Sequence, residues 1–170
     1  MKIELQKINL QNFKGIKALE VEFGQDTRIY GENATGKTTI FDGFLWCLFG
    51  KDSANKADFQ IKPLEATGAE KHNMETSVEV ILTIDNKPLG LKKVYQEKYT
   101  KKRGTASHEF TGHTTDYFLD DVPLQKKEFD ERVKQIIDES VFRLLTDPHY
   151  FNEQLHWTDR RKLLMEVCGD

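Results

Sequence analysis

The sequence is nearly without cysteine, with only Cys47 and Cys168 in 170 residues. Both sit in apolar helical patterns, which argues against a disulfide framework or a cysteine metal site. Core thiols in a reducing compartment are expected instead. No apolar run approaches the roughly 20 residues that a transmembrane helix needs. The opening stretch, Met1 to Leu10, has no signal-peptide apolar region. A soluble cytoplasmic protein with no membrane partner is therefore expected. There is no internal repeat and no low-complexity segment, and His149, His156 and Trp157 form no metal spacing. Nor is there an excess of one charge: 25 Lys and Arg face 28 Asp and Glu, a net charge of −3. That balance argues against a generally basic nucleic-acid binder but leaves room for a local patch. The length suffices for one domain with a real core.

What is present centres on Gly31 to Thr39, GENATGKTT, which fits G-x-x-x-x-G-K-[ST] with Gly31, Gly36, Lys37 and Thr38 in the fixed places. The glycines let the backbone wrap close to phosphate oxygens with N–H groups pointing inward. Lys37 can reach β- and γ-phosphates, and the Thr38 hydroxyl can ligate Mg²⁺. Arg28-Ile29-Tyr30 reads as a short strand entering this loop. Ile40 to Phe49 reads as a helix leaving it, stopped by Gly50 and apolar nearly all round, hence buried. The N-terminus of that helix aims its dipole at an anion.

Taken in order, residues 2–10 read as a strand whose alternation slips between Leu5 and Ile8, the mark of a bulge. Gln11 to Gly15 reads as a turn. Leu19, Val21 and Phe23 alternate as in a half-buried strand, and the two strands pair antiparallel ahead of the loop. Simple nucleoside kinases usually place this loop right after the first strand. Lys51 to Lys71 reads as a loop. Val78 to Ile84 is a strand, Asp85 to Pro88 its turn, Leu89 to Tyr99 a second strand, and Thr114 to Leu119 a third, turned by Asp120-Asp121. Lys98, Lys101, Lys102 and Arg103 cluster at the bend before Gly104. This cluster is either a sequence-independent phosphate contact or, more commonly, a solvated hairpin tip. Gln125 to Asp138 and Val141 to Leu145 are helical, the latter stopped by Asp147-Pro148. Thr158 or Asp159 caps a final helix with Gly169 beyond its end, and Trp157 packs against it.

A phosphate-loop ATPase also needs an acidic residue on a neighbouring strand for Mg²⁺ and a group that orients water. Asp85 is the nearest local option, but Asn86-Lys87-Pro88 follows at once and marks it as a turn residue. No Ser-Gly-Gly element exists in the chain. At face value the chain cradles a triphosphate and lacks the parts to cut it well.

The stretch Asn12-Phe13-Lys14-Gly15, followed by Tyr30 to Gly43, resembles the N-terminal lobe of SbcC/SMC-type ATPases. These are the ABC-type heads of coiled-coil DNA-repair and chromosome proteins. RecF and RecN share this start. The likeness is strong over about residues 1–50; Ala34 replaces the middle glycine of the family loop, a small change. The resemblance implies an α/β P-loop NTPase fold with a mixed or antiparallel sheet, an inserted β-meander and C-terminal helices. It implies a single ATP-binding lobe over 1–170: strands, loop and first helix to 50, the meander over 75–124, and helices over 125–170 leading towards a coiled coil. The chain is then expected to be a piece of a longer protein. The missing acidic strand and Ser-Gly-Gly signature belong to a C-terminal lobe, and two heads sandwich two ATP molecules. A nuclease subunit and DNA across the closed head dimer are the implied partners. ATP and Mg²⁺ are the implied cofactors, held by Gly31, Glu32, Asn33, Ala34, Thr35, Gly36, Lys37, Thr38 and Thr39, with Thr38 on the metal. Lys14 matches a basic residue that contacts phosphate in the family, and is equally readable as an ordinary turn lysine. The family places a water-orienting Gln before the last helices. Aligning Asp159-Arg160 puts that slot near Asp147-Pro148, which carries none; Gln154 or the nearby Asn152 offers an amide, or both are loop residues.

The expected function is the ATP-binding half of such a head in DNA double-strand-break repair or recombination. Hydrolysis then needs the second lobe and second head. The rivals are a RecF- or OLD-like ATPase without a long coiled coil, a stand-alone phosphate-loop kinase, and a nucleotide-gated interaction module that never hydrolyses.

Overall fold

The first strand, β1 (Ile3–Phe13), pairs antiparallel on one side with β2 (Ile16–Glu22) and on the other with β3 (Thr76–Ile84). The structure is a computed structural model and describes residues 2–101, 108–147 and 149–168. The pairing of β1 with β3 slips between Leu5 and Lys7, the bulge that the broken alternation predicts. The slip sets Ile8 opposite Val80 and Leu10 opposite Val78. All four are fully buried. β1 runs on through Phe13, so the expected five-residue turn shrinks to Lys14-Gly15. Asn12 and Lys14 take up the sharp reversal with φ of 50° and 51°.

The sheet grows by hairpins into the order β2-β1-β3-β4-β5-β6. Here β4 is Lys87–Lys101, β5 is His108–Leu119 and β6 is Val122–Leu124. Lys87 and Pro88 belong to β4 rather than to the turn, because the reversal needs only Asp85 and Asn86, both with positive φ. Short polar side chains tolerate that conformation. The Asp120-Asp121 turn repeats the device, and β6, unmarked by any alternation, follows it. The expected strand Arg28-Ile29-Tyr30 does not form. No described strand pairs with it, and Tyr30 is 81% exposed. A strand gains its stability from a ladder partner, and this segment has none among the described residues.

Helix α1 (Lys37–Phe49) lies across the sheet. It ends at Gly50, whose φ of 71° is a left-handed cap with its N–H on the Trp46 carbonyl. Leu45, Trp46, Cys47 and Leu48 are buried, as the apolar sequence predicts, although Phe41 is partly exposed. The Cys47 thiol donates to the carbonyls of Val78 and Leu91, and Phe13 packs its ring on Trp46. Gly43 sits closest to the sheet: a Cβ there would lie 2.5 Å from Leu10 Cδ2.

One core position facing α1 is a lysine. Lys93, opposite Val78 on β4, is 4% exposed. Its ammonium donates to the Trp46 carbonyl at 2.9 Å and is ringed by Trp46, Tyr117 and Phe129. The segment between α1 and β3 is a loop, as expected, and it is tied down in part by polar groups. The Glu97 carboxylate takes Lys62, His72, the Asn73 N–H and the Tyr99 hydroxyl at once. These donors hold its pKa well below the usual carboxylate range against the opposing pull of burial.

The chain divides into two compact units, residues 1–130 and 131–170. Helix α2 (Lys126–Ile136) starts in the first and ends in the second. The second holds α3 (Glu139–Thr146), a π-helical turn (Tyr150–Gln154) and α4 (Trp157–Cys168). Asp138 caps α3 by accepting from the Ser140 and Val141 N–H groups. Asp147 ends α3, and Pro148 lies outside the described residues, as do Gly104 and Gly169. Three expectations fail here. α4 already starts at Trp157, so Thr158 and Asp159 lie inside its first turn, with the His156 ring on the Thr158 hydroxyl. Trp157 is 59% exposed, and Cys168 is exposed rather than a core thiol. Both lie at the ends of a helix with a weak apolar stripe, where little packing is on offer. No described helix is long and apolar enough to cross a membrane.

Two outcomes follow for stability. Gly43→Ala forces Leu10, fully buried, out of its place; urea unfolding should show a net loss of about 1–2 kcal/mol, overpacking outweighing the better helix propensity of alanine. Burial lowers the Lys93 pKa from 10.5 to about 8, so the unfolded chain binds the proton more tightly and stability rises with pH across that window. Burial also pushes the Cys47 thiol up from 9.0 to about 12, which costs stability above pH 9. Between about pH 7.5 and about pH 9 the wild type should therefore gain on the order of 1 kcal/mol, and Lys93→Met should lose this rise.

Candidate functional site

The loop from Gly31 to Gly36 closes on its own lysine. Lys37 Nζ donates to the carbonyl oxygens of Gly31 and Glu32, each at 2.6 Å. The Thr35 hydroxyl donates to the Glu32 carbonyl at 2.8 Å. The ring is tight enough that a Cβ on Gly31 would meet Thr35 Oγ1 at 2.6 Å. Gly36 turns the chain into α1 with a φ of 96°, and Ala34 takes a left-handed φ of 65°. An alanine in that region carries about 1 kcal/mol of strain that glycine would not. So the substitution of the middle glycine keeps the loop's path at a cost.

No side chain caps α1, and no acidic residue occupies its first turn. The N–H groups of Lys37, Thr38 and Thr39 are the ones a helix leaves without intrahelical partners, and the first internal bond joins the Ile40 N–H to the Gly36 carbonyl. Glu32, Asn33 and Thr38 are exposed and Thr39 is half-buried. The loop thus presents backbone donors, a lysine bound only to loop carbonyls and an exposed hydroxyl, which suit a polyphosphate. They do not make a metal site alone. Among the described residues no group of three or more His, Cys, Asp or Glu is placed to hold an ion. Thr38 would share a Mg²⁺ with nucleotide oxygens and water.

Lys14 stands on the β1–β2 turn and is no ordinary solvated lysine. Its ammonium pairs with Asp42 Oδ2 at 2.6 Å, where the Asp42 side chain is 7% exposed, and lies 4.9 Å from the centre of the Phe59 ring. The other Asp42 oxygen accepts the Ser53 N–H at 2.8 Å. The same turn abuts the loop, since a Cβ on Gly36 would meet Ile16 Cδ1 at 3.5 Å. Asp42, the buried partner of Lys14, carried no weight in the sequence reading. The signal was there: it is the one charged residue in the apolar run Ile40 to Phe49, and a buried carboxylate needs a cation.

Asp85 lies at the far end of β1. It accepts the Lys2 N–H at 2.7 Å in its hairpin turn. The 11 residues of β1 separate it from the phosphate loop by roughly 30 Å. Gln154 belongs to the second unit, where its amide donates to Asp147 Oδ2 at 3.1 Å, the very position of the expected slot. Asn152 offers its carbonyl to Arg160 at 3.0 Å. Lys98 and Lys101 lie exposed near the end of β4, while Lys102 and Arg103 lie outside the described residues.

Comparisons with known proteins bear on the family and the fold. The AAA domain family AAA_23 matches residues 7–162. The DNA replication and repair protein RecF of Listeria monocytogenes is 28% identical over 109 residues, 60% of this chain and 30% of that protein. The chromosome partition protein Smc of Methanocaldococcus jannaschii is 44% identical over 55 residues, 32% of this chain and 5% of that protein. The Smc head domain of Pyrococcus yayanosii, solved with a coiled coil and joint, superposes with a TM-score of 0.66 at 18% identity, covering 99% of this chain and 32% of that one. The chain therefore spans about a third or less of each of these relatives. The family match extends over most of the sequence, from β1 to α4. This chain belongs to the AAA_23 family of AAA domains, and its fold is that of the N-terminal lobe of an SMC-type head.

Proposed function

We propose that this chain is the ATP-binding half of an SbcC/SMC-like ATPase head acting in DNA double-strand-break repair or recombination. The observation that carries the reading is the closed ring of Gly31 to Lys37 at an uncapped helix start. Glu32, Asn33, Ala34, Thr35 and Gly36 supply the loop backbone, and Lys37 exchanges two carbonyls for phosphate oxygens. The Thr38 hydroxyl serves Mg²⁺, with Thr39 beside it. Mg²⁺, when bound, neutralises the charge that builds on the phosphates. Asp85, the acidic residue considered for Mg²⁺, is tied to Lys2 at the other end of β1. Hydrolysis is assigned to the assembled head, with a C-terminal lobe and a second copy supplying the missing groups. The whole chain, 1–170, acts as one nucleotide lobe. Gln154, held by Asp147, is the residue proposed to orient water once the head closes. Closure governs access of DNA and a nuclease subunit.

A second reading has its own support. The RecF match covers 109 residues of this chain, which favours a RecF-like ATPase without a long coiled coil. A sustained heptad repeat after Asp170 in the natural protein selects the first reading, and its lack selects the second.

Titration calorimetry with Mg-ATP should show binding by the wild-type chain, and a phosphate-release assay should show little or no turnover. Lys37→Ala should lose binding by about 100-fold or more, since a charge-assisted contact is removed. Robust turnover by the isolated chain would overturn the half-site reading. Ala34→Gly should leave thermal stability unchanged or raise it by the equivalent of up to about 1 kcal/mol, because relief of the left-handed strain offsets the chain entropy that glycine gains on unfolding; a melting temperature lowered by the equivalent of about 1 kcal/mol would show that the loop carries no such strain.

A further inference from the structure

Asp42 is a buried acid on the helix that leaves the phosphate loop, five residues after Lys37. Thr38 and Asp42 are four residues apart on α1, so they share a helix face with Cβ atoms about 6 Å apart. Lys14 Nζ, at 2.6 Å from Asp42, is thus parked roughly one helical turn from the exposed Thr38 hydroxyl. The Lys14 main chain cannot move far, because its N–H donates to the Ile61 carbonyl at 2.7 Å. Its four-carbon stem can. The side chain is 24% exposed, whereas Asp42 is 7% exposed. The lysine has a way out and the aspartate has none.

We propose that Asp42 is a positioning residue that competes with a nucleoside triphosphate for Lys14. This inference rests on the reading that the loop binds ATP. In the free chain Asp42 and the Phe59 ring hold the ammonium back. A triphosphate on the loop draws the ammonium towards its terminal phosphate, and Asp42 is left with the Ser53 N–H alone. Leaving a buried carboxylate without its cation is costly, so the competition sets the affinity and makes it depend on the terminal phosphate. Asp42→Asn keeps the shape and an acceptor for Ser53 while removing the charge that holds Lys14.

The test is calorimetric titration of Mg-ATP and Mg-ADP into the wild type, D42N, K14M and the double variant. The expected result is tighter Mg-ATP binding in D42N, by about fivefold or more, a smaller change for Mg-ADP, and no gain in D42N on the K14M background. Unchanged or weaker Mg-ATP binding by folded D42N overturns the proposal, as does a gain that persists without Lys14. A purely structural pair would lower the melting temperature without this Lys14-dependent, triphosphate-selective gain. Should D42N fail to fold, the Asp42 carboxyl ¹³C resonance of the wild type decides: it should move on Mg-ATP and stay on Mg-ADP, and no movement on Mg-ATP overturns the proposal. Mg-ATP binding by the wild type without this coupling sinks the present inference alone. No Mg-ATP binding by the wild type sinks the ATP reading and this inference with it.

Discussion

The contact between Gly43 and Leu10 sets the distance between α1 and the sheet, and much of the first unit depends on it. A side chain at position 43 would either push Leu10 out of its place or lift the helix off β1. With the helix down, Cys47 reaches the carbonyls of β3 and β4, and Phe13 reaches Trp46. The helix start is then fixed relative to the β1–β2 turn. That turn carries Lys14 to Asp42 and Ile16 to Gly36. A close packing contact in the apolar core thus determines where the polar groups of the loop stand.

Polar groups finish what apolar packing begins. Lys93 sits where the strand pattern calls for a hydrophobe, and it links the last turn of α1 to β4 through a carbonyl. That carbonyl also takes the Gly50 N–H, so the helix end is held twice. The aromatic faces of Trp46, Tyr117 and Phe129 lower the cost of a cation there without abolishing it. Burial still weakens the ammonium's hold on its proton.

The loop motif, α1, the β1 bulge and the hairpins were legible because each is a local signal: glycine spacing, period, turn residues. The family resemblance, carried by Asn12 to Gly15 and Tyr30 to Gly43, matched the fold found. What stayed hidden was non-local or lacked a partner. Arg28 to Tyr30 has strand composition, but composition does not supply a neighbour. β6 is three residues long and exists through its pairing with β5. Lys93 and Asp42 are charged residues at buried positions, and only the fold shows what they touch. Trp157 and Cys168 went wrong for the opposite reason: an apolar side chain was taken as proof of burial near the ends of a helix that offers little to pack on.

The loop between α1 and β3 has a consequence of its own. Its anchors include the Ser53 N–H on Asp42, the Ile61 carbonyl on the Lys14 N–H, the Phe59 ring on Phe13, and Lys62, His72 and Asn73 on the carboxylate of Glu97. Lys62 is wholly buried, so it cannot let go of Glu97 without stranding its own charge, whereas Glu97 keeps His72, Asn73 and Tyr99. Such a segment does not fray residue by residue. Amide exchange in this loop is then tied to the Glu97 junction as well as to the packing of Phe59 on Phe13.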